Sequence, residues 1–441
     1  MPVAPKKELS VFDSTCIIVG IIIGAGIYET SPMVAGSMGG GAGVLAVWLA
    51  GGLLALAGAL CYAELATAHP RQGGDYVYLT RAYGSGAGFM FGWSQLAIVR
   101  PGDIALLAFV FGRYAEALYA PFEGCRPIYA GAVVVILTAI NVLGVKESKW
   151  TQNVLTVVKA LGLLAILVVG LAAPSAPRVA AESTGPSLSG LKLALILVMF
   201  TYGGWNEMAY VAAEVKRPER NIVRALVAGT VAVIVLYLLV SGAFLSVLGA
   251  AGMANSEAVA VDTVAAVFPD AAARAIAILI CISSLGAVNG LIFTGARISY
   301  ALGADHAAFR VLGKWDPERG TPARALLIQG ALSLAIVLFF GSFMDAILYA
   351  APVVWAFFLC TGLSVFVLRR KEPATPRPYR IAGYPFTPAL FCACCVFMLY
   401  SSASYAAAVK PRSLVVLLGV LLVGAVVYGL TAARRAPRQG G

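Results

Sequence analysis

The chain has 441 residues, 60% hydrophobic and only 12% charged, where soluble domains carry about 25% charged residues. It never breaks into polar, self-contained blocks, which excludes an ordinary soluble globular protein. The net charge of +11 would suit nucleic acid only if it gathered on one patch, so its distribution decides its meaning.

The first ten residues are polar and basic, and the apolar run from Val11 passes straight into a long spanning segment, so no cleavable signal peptide is expected. Apolar runs near 11–36, 43–66, 86–111, 128–144, 152–173 and 190–212 follow one another, then 223–247, 272–301, 323–341, 344–368, 386–408 and 413–432. Each can cross about 30 Å of hydrocarbon. The expected fold is an all-α membrane protein of about twelve transmembrane helices in a single domain over 1–441.

With the N-terminus inside, Arg113, Arg126, Arg178, Lys192, Arg274, Lys410 and Arg412 fall outside, and Arg100, Lys159 and Arg297 fall within spans. That leaves 22 of the 32 Lys and Arg on the cytoplasmic side, clustered at Lys216–Arg224 and Arg369–Arg380. The asymmetry is the positive-inside signal and places both termini in the cytoplasm. The charge is topological, and no nucleic-acid partner is expected.

Span one carries Ile22-Ile23-Gly24-Ala25-Gly26-Ile27, with Pro32 beyond it, and span six carries Phe200-Thr201-Tyr202-Gly203-Gly204-Trp205-Asn206. Glycine is common in membrane helices for close packing, and Gly36, Gly39, Gly51 and Gly52 are read that way. The two matched interruptions come first in consecutive five-span sets, 11–173 and 190–368, with 386–432 as two added helices. That is the pattern of an inverted-repeat transporter with its site at the breaks. Span one runs outward, so a break at Gly24 frees N–H groups at Ala25, Gly26 and Ile27, suited to a carboxylate. Span six runs inward, so its outer half ends in carbonyls near Phe200 and Thr201, suited to an ammonium. Together they describe an α-amino acid. The side chains expected to face it are Ile21, Ile22, Ile23, Tyr28, Phe200, Tyr202, Trp205 and Trp355. No Asp or Glu lies in the broken stretches, which favours neutral substrates.

Lys159 lies within span five, where a lysine costs about 2.5–3.5 kcal/mol unless paired or wet. Against simple snorkelling, its ammonium can replace a sodium ion between spans one and eight, with carbonyls near Gly20 or Ile21 and the hydroxyls of Ser283 and Ser284 as partners. Arg100 and Asp103 share one helix face, and structural pairing or function both fit. Arg297 is expected to snorkel or pair. Glu64, Arg71 and Asp75 form a gate or anchor the first cytoplasmic loop. Most of the eight cysteines lie in spans as small apolar residues, and Cys125 in an external loop is expected to be a free thiol. His69 and His306 lack ligand spacing, and no HExxH, P-loop, CxxC pair or GxSxG occurs, so neither an enzyme, a metal nor a cofactor is expected.

Several stretches together carry a resemblance: 22–27, Ala59–Leu65, Gly73–Tyr76, Arg100-Pro101, Phe200–Asn206, Pro218–Asn221, Ser256–Asp262 and Gly286–Gly290. At these residues the chain, from Val11 to about Pro385, resembles the amino acid–polyamine–organocation superfamily, and in particular the L-type amino acid transporters. The resemblance implies a LeuT-type five-plus-five fold and sodium-independent amino acid transport. It further implies that Gly24, Ala25 and Gly26 bind carboxylate, that Phe200 gates the site with Tyr202 beside it, and that Lys159 stands in for sodium. Gly203 and Thr201 complete the substrate site. The chain departs from the family pattern at Ala25, Ile21 and Val354, which makes the pocket more apolar. Short external loops and the absence of an N-x-S/T acceptor look prokaryotic, so no ancillary glycoprotein is expected at Cys125. Exchange and proton symport remain open. So do two rivals: a polyamine or cationic-amine carrier, which needs acidic residues near the site, and a membrane amino acid sensor, for which the tails are short.

Overall fold

A computed structural model describes residues 5–175, 187–339, 343–409 and 411–433. Arg178 and Lys410, two of the expected external basic residues, lie outside them. Helix α1 (Val11–Ile22) starts where Ser10 Oγ accepts from the Asp13 amide at 3.1 Å and Asp13 Oδ2 accepts from the Ser10 amide at 2.9 Å. This reciprocal pair satisfies two N–H groups that a helix start would leave open. α1 stops before Gly24, and α2 (Gly26–Met38) resumes at an angle of 46°. α2 ends at Gly39, whose φ of 67° is left-handed.

There follow α3 (Gly41–Ala68), α4 (Asp75–Tyr83), α5 (Ser85–Ser94) and α6 (Arg100–Leu118). α5 and α6 form one continuous span joined by a π-turn over Gln95–Val99, just ahead of Pro101. Pro101 has no N–H to donate, and the wider turn absorbs that break. The chain continues through α7 (Arg126–Leu143), α8 (Val145–Ala172), α9 (Leu188–Thr201) and α10 (Pro218–Asn255). The last elements are α11 (Val259–Ala265), α12 (Ala272–Asp305), α13 (Ala323–Phe339), α14 (Phe343–Lys371), α15 (Phe386–Val409) and α16 (Pro411–Ala433).

Among the described residues, nine helices are long and apolar enough to cross a membrane, and the bent pair α1–α2 makes a tenth span. Leu188–Thr201 and Ala323–Leu338 are shorter apolar helices. The sixth expected span, 190–212, is a helix only to Thr201; turns and a 3-10 segment, Glu207–Glu214, take over beyond it. α4 and α11 are short helices absent from the expected set.

The bundle is built around α12, which packs on α1, α6, α7, α8 and α13. Its most apolar stretch is 83% buried, against 11% for α16, so α12 is an inner strut and α16 a lipid-facing one. Val415, Leu418, Leu422 and Leu430 on α16 are exposed, as expected where the solvent is hydrocarbon. α10 covers α1 and α2 from the other side and also packs on α3 and α8. The two breaks are held between these walls.

Candidate functional site

The break in α1–α2 leaves a defined set of open backbone groups. The Ile23 amide donates to Val19 O at 2.9 Å and the Gly24 amide to Ile22 O at 2.8 Å, while the amides of Ala25, Gly26 and Ile27 have no backbone acceptor among the described residues. At the other break, the Tyr202 amide donates to Val198 O and the Gly203 amide to Phe200 O. The carbonyls of Met199 and Thr201 accept no backbone donor there. The breaks touch. A Cβ on Gly26 would lie 3.0 Å from Thr201 Cγ2, and the Thr30 and Thr201 hydroxyls are hydrogen-bonded at 2.9 Å. Gly204 sits at φ +114°, where a Cβ would be 2.7 Å from Ile21 Cγ2. Glycine is required there both by the backbone angle and by the close approach of α1.

A cavity of about 210 Å³ opens between them. Its wall includes Ile21, Ile22, Gly24, Ala25, Gly26, Phe200, Thr201 and Gly203, together with Trp205 and Trp355. Three residues expected to face it do not. Ile23 is wholly buried behind the break, its carbonyl turned to α8 and α12. Tyr202 points into the bundle, its ring 5.9 Å from Trp48 and 5.3 Å from Tyr237, so a gating role for Tyr202 has no geometric basis. Tyr28 lines a separate, smaller hollow with Glu29 and Glu257.

The carbonyl end of α1 is satisfied from neighbouring helices. Lys159 on α8 is fully buried, and its Nζ donates to Gly20 O at 2.6 Å, Ile23 O at 2.9 Å and Ser283 O at 3.0 Å. Ser283 Oγ donates to Ile23 O at 2.9 Å and Gly24 O at 3.0 Å, and Tyr237 Oη to Ile22 O at 2.8 Å. Lys159 therefore does not snorkel; it caps a broken helix, where a cation is stabilised by the negative dipole end. It meets the backbone carbonyl of Ser283, not its hydroxyl, and the Ser284 hydroxyl has no partner among the described residues. Gly286 makes the room, since a Cβ there would lie 2.6 Å from Nζ. Tyr237, a tyrosine among apolar residues, gives no signal in the sequence, and Gly286 stands there only as part of a stretch that carries the family resemblance.

The cavity is more charged than its sequence suggests. Arg100 does not pair with Asp103. Its Nη2 donates to Glu207 Oε1 at 2.8 Å and its Nε to Gln95 Oε1 at 3.0 Å, and Thr294 Oγ1 donates to Glu207 Oε2 at 2.6 Å. Arg100, Asp103 and Glu207 all line the cavity. Glu207, directly after the Trp205-Asn206 stretch, was legible as an acid next to the second break; Asp103 needed the helix orientation.

Towards the face carrying the N-terminus, the cavity floor is packed shut. Arg297 does not snorkel: it forms a buried bidentate pair with Glu214, at 2.9 and 3.0 Å, and Gln72 donates to the same carboxylate at 3.1 Å. The Leu9 amide donates to Glu214 O and the Lys216 amide to Leu9 O, both at 2.9 Å, so the segment before α1 is stitched to the segment after the second break. Glu64 pairs with Arg369 and also accepts from the Ile381 amide at 2.8 Å. Asp75 accepts from Tyr62 and Thr361. Burial pushes the Asp75 carboxyl up to about 6 despite these donors. Arg71 is exposed and stands apart from this cluster. Cys125 is buried, with its thiol 3.6 Å from Glu116.

Comparison with known proteins places this geometry. The family model of amino acid permeases matches residues 9–432. The b(0,+)-type amino acid transporter 1 of Mus musculus is 31% identical over 390 residues, covering 85% of this chain and 79% of the relative. The serine/threonine exchanger SteT of Bacillus subtilis is 30% identical over 402 residues, covering 90% and 91%. The large neutral amino acids transporter small subunit 2 of Homo sapiens is 31% identical over 443 residues, covering 97% and 81%. The helical bundle, its paired breaks and these matches have one meaning: the chain is a multi-pass membrane protein belonging to the amino acid permease family.

Proposed function

We propose that the protein exchanges neutral L-amino acids across the cytoplasmic membrane, without sodium, by alternating access around the cavity between the two breaks. The observation that carries the reading is the pairing of open backbone groups. The amides of Ala25 and Gly26 and the carbonyls of Met199 and Thr201 belong to residues that line one cavity, and none has a backbone partner among the described residues. Unwound backbone is tolerated at membrane depth only where it lines a polar cavity, and a substrate carboxylate and ammonium supply the missing partners.

In this reading Ile21, Ile22, Gly24, Ala25, Gly26, Phe200, Thr201 and Gly203 form the site, with Phe200 closing its outer side. The site joins two five-helix repeats, residues 11–173 and 190–368. Lys159 holds the carbonyl end of α1 in sodium's place, joined there by Ser283. Both termini face the cytoplasm, and the chain works without a glycoprotein partner. A substrate that bridges both breaks binds the occluded state better than either open state, and only such differential binding can move the equilibrium. The similarity to an exchanger, SteT, supports exchange over net uptake.

Trans-stimulation tests this. Proteoliposomes of the protein alone, in sodium-free buffer, should take up labelled L-leucine or L-serine when loaded with unlabelled amino acid and scarcely when empty. Equal uptake into empty vesicles would contradict exchange, and dependence on added sodium would contradict the role given to Lys159.

A further inference from the structure

The basic residues on the face that carries the N-terminus differ in how their charge is answered. Arg369 and Arg377 pair with Glu64, and Arg81 pairs with Glu372. Lys216, Arg217, Arg220 and Arg224, at the start of α10, are answered by nothing. All four are exposed, and among the described residues none makes an ion pair or a side-chain hydrogen bond. Lys6 and Lys7 are exposed and unpaired in the same way. The backbone brings the two groups together: the Glu8 and Leu9 amides donate to Glu214 O and the Lys216 amide to Leu9 O, all at 2.9 Å. Glu214 is taken by Arg297, which leaves Glu8 and Glu219 as the acids of these stretches, two against six cations. Topology asks for Lys and Arg on one side of the membrane but not for their crowding. Like charges four residues apart on a helix, as in Arg220 and Arg224, repel, and an anion shared among them removes that cost.

The helix supplies a second element. Beyond Arg224, α10 continues as a membrane-crossing helix on which Val231, Val235 and Leu239 are exposed. With 3.6 residues per turn, Arg220, Arg224, Val231, Val235 and Leu239 fall within one arc of about 100°. One face of α10 thus carries charge at its end and bare hydrocarbon along its length. That is the pattern of a phospholipid, and a soluble anion would use only its charged end. We infer that the start of α10 and the segment before α1 form a binding site for an anionic phospholipid. Arg220 and Arg224 take its phosphate, to which a guanidinium can bond bidentately. Lys6, Lys7, Lys216 and Arg217 surround the headgroup, and an acyl chain lies along Val231, Val235 and Leu239.

Native mass spectrometry of the detergent-solubilised protein tests this. The protein is offered equal amounts of phosphatidylglycerol and phosphatidylcholine with matched acyl chains. Wild type is expected to retain phosphatidylglycerol at least about tenfold better. Combining Arg220→Gln with Arg224→Gln should cut that preference about tenfold, and combining Lys6→Gln with Lys7→Gln should also weaken it. A control combining Arg310→Gln with Arg370→Gln removes equal charge from exposed arginines and should leave the preference unchanged. An equal loss in the control would mean diffuse surface charge and would overturn the site. So would a wild type that holds both lipids equally, a comparison that needs no variant to fold. Displacement of phosphatidylglycerol by an equal concentration of glycerol phosphate would overturn the assignment to a lipid.

Discussion

Replacing Lys159 by methionine keeps most of the side-chain volume and removes the charge and all three donors. The consequence can be worked out carbonyl by carbonyl. Ile23 O keeps the Ser283 hydroxyl at 2.9 Å, and Ser283 O lies within α12, where the helix ladder still serves it. Gly20 O has no such reserve. The amide that would reach it in an unbroken helix, that of Gly24, is turned to Ile22 O. One buried acceptor is thus orphaned, at about 1–3 kcal/mol, in the conformation in which α1 is broken. If that conformation is the one that binds substrate, Lys159→Met should slow counterflow of L-leucine roughly 10- to 100-fold. Lys159→Arg should not restore it, because the space above Gly286 is already filled by Nζ and a planar guanidinium is wider. Sodium-free counterflow, normalised to folded protein by size exclusion, reads the effect. Wild-type exchange by Lys159→Met would refute the idea that this ammonium holds the break.

Three further outcomes follow from the same contacts. Gly204→Ala forces a side chain into φ +114° and against Ile21, at about 1–3 kcal/mol of backbone strain, and should abolish saturable uptake while leaving a folded, less heat-stable protein. Glu207→Gln leaves the Arg100 charge buried without its partner, a loss of about 3–5 kcal/mol. Adding Arg100→Met should recover part of the lost thermal stability, and a double variant as unstable as the sum of the singles would contradict the pairing. Burial raises the Asp75 carboxyl to about 6, so the closed floor binds this proton more tightly than an opened, solvated one would. Acidification from pH 7 to below 6 should therefore stabilise the closed state, with the gain complete below the ordinary carboxylate value and lost as pH rises through about 6. Labelling of a cysteine placed at Leu9, run at pH 5 and pH 7, should show less access at pH 5, and Asp75→Asn should remove the difference.

The large features were legible because each has a one-dimensional signature. Lengths of apolar sequence mark the spans, and the matched Gly24-Ala25-Gly26 and Gly203-Gly204 interruptions mark the breaks. Lys159 stood out for its cost in lipid. What stayed hidden depends on which way a side chain points. Tyr202 and Phe200 are neighbours in sequence, yet one lines the cavity and the other packs on Trp48 and Tyr237. Arg100 and Asp103 share a helix face, but the arginine is claimed by Glu207, a residue 107 positions away. Gly286–Gly290 is legible as a stretch that carries the family resemblance, and only the fold reveals that Gly286 houses the Lys159 ammonium. The broken stretches hold no acid, but Glu207 stands one residue past the second and Asp103 comes from a neighbouring helix, so the cavity wall carries both.

The central claim is that the two breaks read the backbone of an α-amino acid, and analogues lacking one of its charges test it most directly. Labelled L-leucine bound to the purified protein should be displaced by unlabelled L-leucine, but at least about tenfold less well by 3-methylbutylamine, which lacks the carboxylate, and by 4-methylpentanoate, which lacks the ammonium. Displacement by either analogue as effective as that by leucine itself would mean that one of the two breaks does not hold the substrate, and the site as described would be wrong.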